Sequence, residues 1–123
     1  LKALGEVMQR LTKEGGLAWA SYTRKECAEL SLSPRNIAFA AEELKEHFFN
    51  PVSFLLLWEK PTPQGTEGIL FSPSENLLVA LAEKIGGEIR QGLLFFSSPQ
   101  ENISLLEQKL TGFLRAHLPK TEA

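Results

Sequence analysis

Residues 23–44 read TRKECAELSLSPRNIAFAAEEL, and their local folding decides the architecture. Thr23 with Glu26 three positions on is a capping-box pattern, in which each residue's side chain satisfies the other's backbone N–H. It opens a helix that runs to about Leu30. Ser33 or Ser31 can cap a second helix, with Pro34 in its first turn, where a missing N–H costs nothing. Ile37, Ala40, Ala41 and Leu44 then recur at helical spacing and form a buried stripe. The stretch predicts two helices joined by a tight turn.

Working outward, Leu4, Val7, Met8 and Leu11 make residues 2–14 an amphipathic helix, ended by Gly15-Gly16. LAWASY (17–22) is a short apolar strand. NPVSFLLLWEK (50–60) is rich in strand formers and carries its proline at the start. PTPQGTEG (61–68) reads as an exposed loop, and GILFS (68–72) as a second strand, which makes a long-looped hairpin. Pro73-Ser74 opens a helix through Ile85, stopped by Gly86-Gly87. EIRQGLLFFSS (88–98) is a strand and 99–118 a last helix. The second helix of the opening pair is expected to fray near 47–50, and the tail 119–123 to be loose.

The 123 residues fit one domain. With 43% hydrophobic and 23% charged residues the chain is globular rather than disordered. A net charge of −2 is not the basic excess of a dedicated phosphate binder. A single cysteine, Cys27, leaves no internal disulfide framework and fits a reducing, cytoplasmic setting. The longest apolar runs, 54–58 and 77–82, fall far short of the roughly 20 residues of a spanning helix. No leader pattern is legible.

Helix, strand, helix, turn, helix and hairpin in that order resemble the winged-helix superfamily of helix-turn-helix domains, over roughly Leu4 to Ser72. The most specific part is CAELSLSPRNIAFA: Cys27, Leu30, Leu32 and Ile37 stand in register with the residues that fill the helix crossing, and Ala40 and Leu44 continue the inner face. The departures are Glu26, where the pattern is usually apolar, and Ser31, where glycine commonly takes the left-handed conformation. The resemblance implies an α+β fold for the single domain 1–123: a winged-helix core (4–72) with the hairpin 52–72 as wing, and a helix-strand-helix extension (73–118). The alternative is a general α+β domain whose sheet holds strands near 54–58, 69–72 and 91–96, the last joining the hairpin with the flanking helices packed on it.

By the same resemblance, the early outward residues of the second helix would face a DNA groove. Arg35 can make a bidentate contact to guanine, Ser33 or Asn36 can bond phosphate, Phe39 can meet a thymine methyl, and Lys25 adds a cation. Against this, Glu42, Glu43 and Glu46 outnumber Arg35 and Lys45 in that helix. Arg10, Lys13, Arg24, Lys25 and Lys60 are scattered, and each reads as a solvated charge. The expectations are therefore a DNA-binding or nucleic-acid-associated module, or a protein-interaction module using Phe39 and the glutamates. Ile103, Leu106, Leu110, Phe113 and His117 repeat like a coiled-coil seam, which suggests a homodimer through 101–118, or a helix packed on its own sheet.

No catalytic constellation is read. His47 and His117 sit late in helices, where a cation suits the helix dipole. They and Cys27 lack zinc spacing, and Cys27 reads as a small core residue. GGEIRQG (86–92) lies between a helix and a strand, in the wrong order for a phosphate loop. Trp19 and Trp58 read as core. No metal or cofactor is expected.

Overall fold

The computed structural model describes residues 2–47, 52–61, 65–99 and 102–118. The expected fraying at 48–50, part of the hairpin tip (62–64), the start of the expected last helix (100–101) and the tail 119–123 lie outside the described residues.

Among the described residues five helices surround a six-stranded mixed sheet. In chain order they are α1 (Lys2–Arg10), β1 (Thr12–Glu14), β2 (Leu17–Tyr22), α2 (Arg24–Glu29), α3 (Pro34–His47), β3 (Ser53–Glu59), β4 (Thr66–Phe71), α4 (Glu75–Ile85), β5 (Glu88–Arg90), β6 (Leu93–Ser98) and α5 (Ile103–His117). Across the sheet the order is β1-β2-β3-β4-β6-β5. Every neighbouring pair is antiparallel except β2 and β3, which run parallel and are joined by the α2–α3 crossover.

The apolar run of β3 follows from its position. A central strand covered on both faces needs hydrophobic residues at every position, not at alternate ones. Phe54, Leu56 and Trp58 face one layer, with Ile37, Ala40, Ala41 and Leu44 of α3 and Val7 of α1. Leu55 and Leu57 face the other, with Leu77, Leu78 and Leu81 of α4 and Ile103, Leu106, Leu110 and Leu114 of α5. The architecture is thus three layers, helix on sheet on helix.

Three boundaries differ from the sequence reading. The first helix stops at Arg10, because Thr12–Glu14 pair with β2 in a two-residue hairpin through Gly15-Gly16. Residues 88–98 are a second hairpin. Its turn, Gln91-Gly92, has φ of 51° and 82°, the doubly positive pattern that matches strand twist. The expected wing strands are the sheet's centre rather than an appendage: β3 is flanked by β2 and β4, and β4 by β3 and β6. Because β6 pairs with β4 along its whole length, residues 73–118 complete the same sheet instead of extending a finished core.

The stripe on α5 is consumed internally. Ile103, Leu106, Leu110 and Leu114 are buried in the chain's own core, so they form no open dimer seam. His117 stacks on Phe113 at a centroid distance of 4.1 Å. The outer strands β1 and β5 are three residues each and exposed.

Candidate interaction surface

The α2–α3 pair is built by three local devices. Thr23 Oγ1 accepts from the Glu26 N–H at 3.1 Å, and Glu26 Oε1 accepts from the Thr23 N–H at 2.9 Å, completing the capping box. At the other end of α2, the Ser31 N–H donates to Ala28 O (3.3 Å) and the Leu32 N–H to Cys27 O (2.8 Å). These are the two bonds of a Schellman ending, with Ser31 in the left-handed region at φ 55°. A second reciprocal cap starts α3: the Asn36 N–H donates to Ser33 Oγ at 3.1 Å, and the Ser33 N–H to Asn36 Oδ1 at 3.4 Å. Pro34 takes the first helical position. The two helices are separate, and Leu32 is buried between them.

All five residues singled out from sequence are exposed. Arg35 and Lys25 are exposed and make no hydrogen bond or ion pair among the described residues. Phe39 is 47% exposed. Ser33 and Asn36 are exposed too: Ser33 Oγ and Asn36 Oδ1 each accept the other's backbone N–H, which leaves the Ser33 hydroxyl and the Asn36 amide N–H groups as donors for a phosphate.

Two of the supporting cations are not solvated charges. Arg10 Nη1 donates to Ser21 O (3.2 Å) and Glu26 Oε2 (3.0 Å), and its guanidinium lies 4.6 Å over the Tyr22 ring. Arg24 Nε donates to Lys60 O at 2.7 Å, while its backbone N–H donates to Glu59 Oε1 at 2.6 Å. The Thr23 N–H, and then Arg10, hold the Glu26 carboxyl below its ordinary pKa against the opposing effect of desolvation. Lys45 bonds Gln91 O at 2.7 Å and lies 3.4 Å from Glu42, so it ties α3 to the β5–β6 turn. Glu29 and Glu46 remain exposed. The face is therefore mixed in sign, without a continuous basic strip.

Sequence reasoning missed the floor of this face. Phe39 borders a groove of about 210 Å³ whose other walls include Lys2, Ala3, Leu30, Leu32 and Asn36. An adjoining groove of about 370 Å³ shares Lys2, Leu30 and Leu32 and runs between α1 and α2. Both exist because α1 packs mainly on α3, which leaves the turn uncovered. No signal in the sequence says which of the two helices α1 leans on.

A third cavity, about 320 Å³, opens on the other side of the turn. It lies outside the carboxyl ends of β2 and β3, between α2, the start of α3 and Trp58. Cys27 lines it, and burial, assisted by Glu26, pushes that thiol's pKa up, the reverse of nucleophile activation.

Among the described residues no helix is long and apolar enough to cross a membrane. No protein-family profile matches the chain, and no curated protein matches it significantly.

Proposed function

We propose that the chain is a protein-interaction module whose contact face is the amino-terminal half of α3, with Phe39 as its anchor. The observation that carries this reading is the half-exposed Phe39 ring beside a groove that Ala3, Leu30 and Leu32 line together with Lys2, Ser31 and Asn36. Burying such an aromatic side chain supplies most of what a small contact needs. The pairing of Arg10 with Glu26 supports it further, because it neutralises a cation that a DNA backbone would use. The partner that fits presents an apolar side chain to the groove, flanked by polar groups of both signs that can meet Arg35, Lys25 and Glu29. In this reading α2–α3 is a helix-turn-helix used for presentation, and the winged-helix likeness is local to that pair and the β3–β4 hairpin.

A second reading keeps DNA as the partner. It is favoured by Arg35 and Lys25, which are exposed and unengaged among the described residues. One guanine contact by Arg35 is worth about 1–3 kcal/mol of discrimination.

One experiment separates the two. Proteins retained by the wild-type chain are compared with those retained by Phe39→Ser, and fluorescence anisotropy follows both chains against mixed duplex at low salt. The expected result is a defined partner lost with Phe39→Ser at unchanged circular dichroism, and no duplex binding. Duplex binding that disappears in Arg35→Ala overturns the first reading in favour of the second.

A further inference from the structure

The cavity at the carboxyl ends of the parallel strands is chemically distinct from the Phe39 face. Its walls are mostly apolar, from Cys27, Ala28, Leu32, Pro34, Trp58 and Pro61, with Ser33 among them. Trp58 is 4% exposed, and its Nε1–H is already donated to Glu67 Oε1 at 3.0 Å, so the indole offers the cavity a ring surface rather than a polar edge. At about 320 Å³ the space falls at the small end of ligand pockets. It lies outside the carboxyl ends of the one pair of parallel strands among the described residues, β2 and β3.

Two charged side chains, Arg24 and Glu59, also line it. Both are held in place with bonding capacity left over. Arg24 is fixed through Nε on Lys60 O, and Glu59 through Oε1 on the Arg24 backbone N–H. Among the described residues the four terminal N–H groups of the guanidinium and the second oxygen of Glu59 have no partner, and no ion pair joins the two side chains. A pinned cation and a pinned anion therefore stand beside one apolar space. A simple carboxylate there faces Glu59, and a simple amine faces Arg24. A molecule carrying both charges on an apolar body answers both.

We propose that this cavity binds an apolar α-amino acid. Its carboxylate accepts from the free N–H groups of Arg24, its ammonium donates to the free oxygen of Glu59, and its side chain lies against Trp58, Leu32 and Cys27. The charge-assisted bonds orient the ligand, and the apolar walls select the side chain.

The test titrates the intact chain with L-phenylalanine and L-leucine, reading the Trp58 indole and Ala28 amide resonances. Phenylacetate, phenethylamine and L-serine each remove one of the three features. Saturable shifts are expected for the two apolar amino acids, with each comparator weaker by about tenfold or more. Glu59→Gln keeps an acceptor for the Arg24 N–H but loses the charge. It is expected to lower phenylalanine affinity and, by removing the carboxylate that phenylacetate faces, to raise that of phenylacetate, so that the two converge. Protection of Cys27 from alkylation by phenylalanine, but not by serine, gives an independent reading on the native chain should that variant fail to fold. Absence of shifts and protection up to the solubility limit, or comparators that match phenylalanine, overturns the proposal. These outcomes are independent of Phe39 and its partner.

Discussion

The Leu32 N–H reaches back to the Cys27 carbonyl at 2.8 Å across Ser31, whose backbone is left-handed. A residue with a Cβ is held there at a cost of roughly 1–2 kcal/mol. Ser31 is exposed, so packing does not complicate its replacement. Ser31→Gly is expected to stabilise the fold by about 0.5–1 kcal/mol, the relief of strain less the entropy glycine adds to the unfolded chain. Ser31→Val is expected to destabilise by at least about 1 kcal/mol, since β-branching makes the conformation worse. Urea midpoints of the three chains check the order Gly, Ser, Val.

Glu26 closes the cap of α2 and bonds Arg10. Its pKa is lowered from 4.5 in the folded chain, so its contribution is complete above that value and lost as pH falls through the depressed one. Glu26→Gln should therefore flatten part of the acid side of the stability profile. Urea midpoints measured down the acid range for both chains should converge at the lowest pH, separate as pH rises from the depressed value to 4.5, and keep a constant gap above it. Curves that stay parallel would remove the ionised Glu26 from the account.

Tyr22 is the chain's only tyrosine. It is fully buried, and its hydroxyl has no hydrogen-bond partner among the described residues. Burial, reinforced by Glu6, pushes its pKa well above the ordinary 10.0. The stability tied to its neutral form is full below pH 10.0 and is lost as pH rises beyond it. Absorbance at phenolate wavelengths should stay flat until the chain unfolds in alkali. Tyr22→Phe should be neutral, or stabilising by about 1 kcal/mol, because an unpaired buried hydroxyl is removed with the ring kept. It should also delay alkaline unfolding.

Gly68 lies between Leu57 and Phe96 in the middle of the sheet. An added Cβ would come 2.7 Å from a Leu57 methyl and overlap the Phe96 ring. Gly68→Ala is expected to cost about 1–3 kcal/mol by overpacking. Adding Phe96→Leu should recover part of that loss, and a double-mutant cycle in urea measures the coupling.

What the sequence made legible was written in local signals. Thr23 and Glu26, Ser33 and Pro34, and the stripe from Ile37 to Leu44 all act within a turn or two of chain, and the structure has each in its expected role. The departure at Ser31 was also readable, because only a left-handed position makes glycine the usual choice there. The strand at 12–14 was not legible: its residues continue a helical spacing, and only pairing with Leu17–Trp19 overrides it. The parallel pairing of β2 with β3 joins residues far apart in the chain, so no short window contains it. The same holds for the charges at the candidate face. Arg10 and Arg24 look like surface cations until the fold brings Glu26, Ser21 and Lys60 to them.

The brevity of the outermost strands has its own consequence. Thr12–Glu14 and Glu88–Arg90 offer very little unpaired backbone, and most of their side chains are polar or charged. Ala20–Tyr22 of β2 and Phe96–Ser98 of β6 lie beyond them with no strand on their outer side among the described residues, so each rim is two short offset segments rather than one long template, which disfavours growth of the sheet from molecule to molecule.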